Sequence, residues 1–220
     1  MTDSNSRPNA GPNPNQIHPL PGVTQVAFLK PVVDHPMVEI GDYTYYDDPD
    51  GPERFLETCV RYHFEHMGDR LRIGRYCAIA SKVQFIMNGA NHALDGFSTY
   101  PFAIFGHGWE DPDLDWSKGS RGDITVGNDV WIGREAVIMP GVTIGDGAII
   151  GARSVVASDV PPFGVVAGNP ARLVKRRFPD DIIDRLLTAA WWDWAPELVT
   201  RHIDAIRGAD IERLEAARTG

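Results

Sequence analysis

The sequence predicts a β-class solenoid, a coil of short strands joined by corners, followed by α-helices. Three observations predict it. Every sixth residue from Val126 onward is a β-branched aliphatic: Val126, Ile132, Ile138, Ile144, Ile150 and Val156. A small residue follows most of them, at Gly127, Gly133, Gly145, Gly151 and Ala157. Four positions after each comes a second small or apolar residue: Val130, Ala136, Val142, Ala148, Ser154 and Val160. A period of six fits neither a helix nor a flat strand, whose side-chain periods are about 3.6 and 2. It fits a coil in which one aliphatic per strand points inward and stacks on its neighbours in ladders. The same phase recurs upstream at Ile73, Ile79 and Phe85, with one isolated turn at Ile40-Gly41-Asp42.

Bulk properties bound the rest. A chain of 220 residues with 43% hydrophobic and 23% charged residues suits one globular domain with an appendage. A net charge of -9 argues against general binding to nucleic acid or an anionic membrane. Any anionic ligand must then find a local basic patch. Two cysteines, Cys59 and Cys77, make no disulfide framework. Cys77 falls four residues after Ile73, on the inward companion position, as a small buried residue would. The N-terminus has neither the basic nor the apolar region of a signal peptide, and no apolar run reaches the length of a membrane span. A soluble cytoplasmic protein is the expectation.

Taken in order, residues 1–22 are rich in Asn, Pro, Ser and Gly and predict a mobile segment. Residues 23–178 predict the coil. Within it, Val23 to Val33 suits an edge strand, limited by Pro31. Asp47 to Gly51 is a turn by composition. Glu53 to Phe64 suits a short helix or an irregular cap. The repeat then breaks at residues 88–123, which hold six glycines, two prolines, six aromatics and two histidines. So long an interruption inside a domain is usually functional or disordered, and its aromatics argue against disorder. We read it as an excursion that packs onto a neighbouring surface. Pro161 to Gly164 is a corner, and Val165 to Ala171 a last strand running into a turn. Four basic residues follow, Arg172, Lys175, Arg176 and Arg177. Residues 179–220 are helical: an apolar stripe from Ile182 to Trp191 with acids in its first turn, a helix opened by Pro196 and ended by Gly208, and a short piece at Ile211 and Leu214. These helices are expected to cap the open end of the coil.

Longer words sharpen the reading. They are Asn88-Gly89-Ala90-Asn91-His92-Ala93-Leu94-Asp95-Gly96, Ser98-Thr99-Tyr100-Pro101-Phe102, Gly127-Asn128-Asp129-Val130-Trp131-Ile132-Gly133, Met139-Pro140-Gly141-Val142, Ile144-Gly145-Asp146-Gly147-Ala148, Ala167-Gly168-Asn169-Pro170-Ala171 and Trp191-Trp192-Asp193-Trp194. With the six-residue repeat, they resemble the xenobiotic acetyltransferase group of hexapeptide-repeat proteins over residues 23–206. That group includes the streptogramin A (virginiamycin) and the type B chloramphenicol acetyltransferases. Ile86 to His92 and Phe105-Gly106-His107-Gly108-Trp109 are closer to the streptogramin branch. The resemblance implies a left-handed parallel β-helix, a homotrimer with active sites between neighbouring coils, acetyl-CoA as donor, a hydroxyl on a small-molecule acceptor, and no metal.

The chemistry needs a base, because an alcohol must lose its proton to attack a thioester, and histidine suits that near neutral pH. The family's catalytic histidine maps onto His92. From the residues alone, His92 reads equally as a loop histidine bonded to a carbonyl. His107, flanked by glycines, is the nearest rival. His63 and His66 have helical spacing for a metal pair, but nothing completes a ligand set.

An acidic chain that binds coenzyme A needs its basic run, so Arg172, Lys175 and Arg176 are cofactor candidates; the alternative is a solvated charge run. Carry-over from the family adds Arg134, Asn169 and backbone at Ala152 and Ser158. The sequence departs at Ala157-Ser158, where many relatives have Thr-Lys. Trp131, read as facing a corner, lines the thioester slot or merely packs. The acceptor pocket should be apolar and aromatic. The resemblance points to Tyr45, Asn91, Pro101 and Phe102, and to Phe64 where streptogramin enzymes carry a tyrosine. Tyr45 reads alternatively as a seam aromatic. Chloramphenicol or a sugar is the alternative acceptor, and a β-helix scaffold without catalysis is the non-enzymatic reading.

Overall fold

The computed structural model describes residues 11–219. Its strands are short and regularly spaced. The first are β1 (Val26–Phe28), β2 (Val38–Ile40) and β3 (Tyr45–Asp47). A single helical turn, α1 (Phe55–Cys59), precedes β4 (Val60–Arg61), β5 (Leu71–Ile73), β6 (Ala78–Ala80) and β7 (Gln84–Ile86). After the excursion come β8 (Ile124–Val126), β9 (Trp131–Ile132), β10 (Val137–Ile138), β11 (Thr143–Ile144), β12 (Ile149–Ile150) and β13 (Val155–Val156). The longer β14 (Gly164–Gly168) and β15 (Ala171–Arg176) close the coil.

These strands form three sheets, the faces of a prism. The first face runs β1-β3-β6-β9-β12-β14-β15, the second β13-β10-β7-β4 and the third β11-β8-β5-β2. From β8 to β13 every pairing is parallel, and each residue meets the one three repeats further on. Val126 pairs with Ile144, Ile132 with Ile150, and Ile138 with Val156. The six ladder residues are at most 2% exposed, and their companions, Val130 to Val160, are all buried. Burying each such aliphatic stabilises the fold by about 1.5–3 kcal/mol. This is why a six-residue period specifies the architecture: two residues pass inward per face, and a corner after each strand turns the chain onto the next face.

The corner explains the small residues. A Cβ on Gly74 would lie 2.6 Å from the Gly127 carbonyl oxygen, and one on Gly127 would lie 2.7 Å from the Asp146 nitrogen. Successive coils touch there through backbone. Just beyond, Tyr43, Tyr76, Asp129 and Phe163 all take left-handed φ between 54° and 63°. Such residues carry a steric cost of about 1–2 kcal/mol. Tyr76, Asp129 and Phe163 are each fixed by a bond from the N–H to the neighbouring coil, to Asp42 O, Arg75 O and Asp146 O.

Several expectations met a different outcome. The helices α2 (Asp180–Ala189), α3 (Pro196–Arg207) and α4 (Ile211–Thr219) were expected over the open end. Their contacts instead run along the side corner. Trp191 packs on Tyr76 with ring centroids 4.9 Å apart, and Phe163, Ile183 and Trp192 share one apolar cluster. Tyr43 stacks on Tyr76 at 4.8 Å, and with Phe163 these corner aromatics offer apolar surface that an amphipathic helix can bury. The basic run is itself a strand: β15 pairs antiparallel with β14, with a bulge between Val165 and Val166. Of the segment expected to be mobile, residues 11–22 lie against the coil, with Phe28 N–H donating to Ile17 O at 2.8 Å. Residues 1–10 lie outside the described residues.

Candidate active site

The excursion leaves the second face after β7 and returns at β8 on the third, so it grows from one corner of the prism. Its neck is tightly bonded. Asn88 is fully buried, and its side chain donates to Asp69 Oδ2 at 2.8 Å and to Gly122 O at 2.7 Å. Its Oδ1 accepts from the Arg121 N–H at 2.8 Å and from Asn91 Nδ2 at 3.1 Å. Asp123 accepts from the Arg70 N–H at 2.7 Å and pairs with Arg72. Although burial works to raise the Asp123 pKa, those donors outweigh it and hold the carboxyl below its ordinary range.

His92 sits four residues beyond Asn88, exposed on the loop. Its Nδ1 lies 2.6 Å from the Thr99 carbonyl oxygen. A carbonyl only accepts, so Nδ1 carries the hydrogen and Nε2 of the neutral ring keeps its lone pair. The ring is thereby oriented as a base. Around it lies an open hollow of ≈ 640 Å³, walled by residues 91–95 and 118–121. Lys118 and Asp95 face each other across it at 3.8 Å.

The other expected site residues lie elsewhere on the chain. Tyr45, Ala78, Trp131, Ile149, Val165 and Lys175 form one outward row along the first face, linked pair by pair through the sheet. Trp131 is 55% exposed on strand β9, on the face rather than at a corner. Tyr45 is half-buried, and burial followed by the Asp47 charge raises its pKa. Beside this row runs the first-face to second-face corner. It stacks Arg134, whose carbonyl accepts from the Arg153 N–H at 2.8 Å, against Ala152, whose nitrogen would meet a Cβ on Gly133 at 2.6 Å. Asn169 lies where β14 leaves the same face, in a cis peptide with Pro170. Arg172 and Lys175 are exposed on β15, and Arg176 reaches Asp180 at 3.7 Å. Ser158 separates from this group: it follows β13, on the corner that also carries the excursion.

On the acceptor side, Phe102 begins a helical turn after Pro101 and joins an exposed aromatic cluster with Tyr100, Phe105 and Trp109. Phe64 stacks on His66 (4° between planes), and His66 meets the Trp116 edge at 4.8 Å. The Asn91 amide nitrogen is taken up by Asn88 and Gly119. None of Tyr45, Phe64, Phe102, Trp131, Arg134, Arg172, Lys175 or Arg176 lines the hollow around His92. His107 makes no link to it either. Sequence reasoning gave no role to Asn88 or Asp69; the signal was that Asn88 heads the His92 word and Asp69 stands just before the repeat resumes at Leu71. Among the described residues, no group of three or more His, Cys, Asp or Glu could hold a metal ion, and no helix is long and apolar enough to cross a membrane.

A family model for bacterial transferase hexapeptide (six repeats) matches residues 123–158. The coil is accordingly a left-handed parallel β-helix of the hexapeptide transferase class. The chain is 47% identical over 171 residues to a probable macrolide acetyltransferase of Lysinibacillus sphaericus, covering 76% of this chain and 94% of that one. It is 45% identical to a virginiamycin A acetyltransferase of Staphylococcus aureus, covering 94% of each. It is 42% identical to a chloramphenicol acetyltransferase of Agrobacterium fabrum, covering 89% and 92%. The chain belongs to the xenobiotic acetyltransferase family of hexapeptide-repeat proteins and is an acetyltransferase.

Proposed function

We propose that the protein transfers acetyl from acetyl-CoA to a hydroxyl of a streptogramin A antibiotic of the virginiamycin M type, and so inactivates it. The observation that carries this reading is the His92 ring, held at Nδ1 by the Thr99 carbonyl with Nε2 free. Nε2 takes the proton of the acceptor hydroxyl as its oxygen attacks the thioester carbonyl. The same nitrogen then returns the proton to the departing thiolate of coenzyme A. His92 thus serves as base and acid in turn, and the carbonyl contact keeps one tautomer throughout.

The donor lies along the first-face corner. Its phosphates meet Arg172 and Lys175, with Asn169, Ala152 and Arg134 along its length and Trp131 beside the thioester. Since these groups do not line the hollow around His92, the working unit is a homotrimer. The excursion of one copy lies on the outward row of the next, bringing His92 and Phe102 to Tyr45 and Trp131. Buried free Cys59 and Cys77 and a donor made inside cells suit the cytoplasm. The 45% identity to a virginiamycin A acetyltransferase over nearly the whole chain favours the streptogramin acceptor. Chloramphenicol is the second reading, favoured by the 42% identity to a chloramphenicol acetyltransferase.

The test is thiol release from acetyl-CoA with virginiamycin M, chloramphenicol or simple sugars as acceptor, in wild type and His92→Ala. We expect turnover on virginiamycin M that falls by roughly 10²–10⁴-fold in His92→Ala. Turnover indifferent to His92→Ala contradicts the mechanism. Turnover on chloramphenicol or sugars alone contradicts the streptogramin assignment.

A further inference from the structure

We propose that Asp69 and Asn88 form a positioning pair that sets the excursion neck and thereby aims His92 at its acceptor. The inference rests on the reading of His92 as the base and adds residues that act through it. Neither touches the reacting atoms.

The geometry is specific. Asp69 is 97% buried in the turn before β5, with a relative exposure of 3%, and Asn88 is fully buried. One carboxylate oxygen, Asp69 Oδ2, accepts both the Asn88 backbone N–H and its side-chain Nδ2, each at 2.8 Å. The remaining Asn88 groups reach across the loop, to Gly122 O, the Arg121 N–H and Asn91 Nδ2. One amide therefore ties the outgoing end of the excursion to its returning end, and one carboxylate ties both to the coil. Asn91 extends the link, since its Nδ2 also donates to Gly119 O at 3.0 Å. A Cβ on Gly119 would touch the His92 carbonyl at 3.5 Å. Asn91 directly precedes His92, so the path from Asp69 through Asn88 to the His92 backbone is continuous.

Chemistry dictates the residue types. The site at position 88 needs two donors and two acceptor lone pairs in one flat group, which only a carboxamide supplies. Aspartate there would set two carboxylates together and lose both donors. Alanine would strand buried groups on both sides of the neck. The reach is what matters for function. His92 has one side-chain tether, Thr99 O, and that carbonyl lies in the same loop. Neither can hold position if the neck turns. A displacement of about 1 Å at a reacting group can lower a rate by about 100-fold.

The test compares Asn88→Ala, Asp69→Ala and the conservative Asp69→Asn in the assembled enzyme. The readouts are kcat, both KM values, and the NMR shifts of the His92 ring in the free enzyme. We expect kcat to fall by roughly 10–100-fold in both alanine variants, with the KM for acetyl-CoA within about twofold of wild type. The double alanine variant should be no worse than either single one, as members of one network behave. Asp69→Asn keeps an oxygen facing Asn88 and should retain kcat within about threefold, with unshifted His92 ring signals. If Asn88→Ala does not fold, Asn88→Ser with Asp69→Asn carries the comparison. A kcat within twofold of wild type in folded Asn88→Ala or Asn88→Ser overturns the proposal, as does a loss seen only in the KM for acetyl-CoA. The two levels separate cleanly. Turnover that survives His92→Ala overturns the base itself, whereas turnover abolished by His92→Ala but untouched by the neck variants overturns the positioning pair alone.

Discussion

The coil and its excursion solve opposite problems with the same chain. In the coil, each aliphatic meets its like one turn away, and Ile132, Ile138 and Phe85 are wholly buried within one copy. In the excursion, Phe97, Tyr100, Phe102, Phe105, Trp109 and Trp116 all stay exposed, at 45% or more. Exposed apolar surface of that extent marks a surface with a partner. The coil is complete in one chain; in the assembly we propose, a second copy completes the excursion and its histidine. Stability and activity should therefore separate by region, and substitutions can test that division.

The largest effect belongs to the coil. Ile138→Ala should lower stability by about 2–5 kcal/mol, read as a fall in the urea midpoint. The fraction that remains folded should keep its kcat. A kcat loss in the folded enzyme would show that ladder packing and catalysis are not separable.

A smaller effect is expected at the excursion. Trp109→Ala removes the ring that meets both Tyr100 and Phe102 edge-on. Truncating a central interface aromatic costs about 2 kcal/mol or more of association. Sedimentation should then show trimers dissociating at higher protein concentration, while the urea midpoint of the monomer stays put. An unchanged assembly would mean that the aromatic cluster covers something other than a second copy.

The smallest effect is pH-dependent and sharpens the picture of the neck. The Asp123 pKa is depressed in the folded chain from an ordinary 3.8. Its contribution is therefore present above that value and is lost as pH falls through the depressed one. Below about pH 4, amide exchange at Asn91 and Arg121, whose N–H groups bond to Asn88, should quicken before exchange in the ladder does. Asp123→Asn should loosen the neck at neutral pH as well. Simultaneous loosening of neck and ladder would count against separate regions.

The same division explains what the sequence made legible. The ladder could be read because a coil repeats its environment, so burial becomes a period: Val126 through Val156 all proved inward, as did Cys77. Strand β1 could be placed at an edge, where it pairs antiparallel with β3. Helices α3 and α4 followed from Pro196, Gly208 and the apolar spacing. Strand β15 was hidden, because Ala171 to Arg176 has no exposed-to-buried alternation and reads as a run of charge. The helices went to a corner rather than an end because Tyr76, stacked on Tyr43 of the neighbouring coil, meets Trp191, and Phe163 meets Phe178, contacts visible only in three dimensions. His92 stood out by its chemistry, whereas Asn88, at the head of the same word, showed no role, since its side-chain partners are mostly 19 to 34 positions away. The proposed cofactor residues were picked by residue type alone, and Ser158 fell on a different corner from Ala152 and Arg134.

The central claim is that one copy supplies His92 and the next supplies the first-face row. Two variants test it most directly: His92→Ala, which lacks the base, and Arg172→Glu/Lys175→Glu, which lacks the donor anchor. Each alone should be nearly inactive. Unfolded together and reassembled at equal concentration, they should recover roughly a quarter of wild-type turnover, because random mixing unites an intact loop with an intact face at that frequency. Turnover that stays at the level of the separate variants would place both halves of the site within one chain and contradict the account.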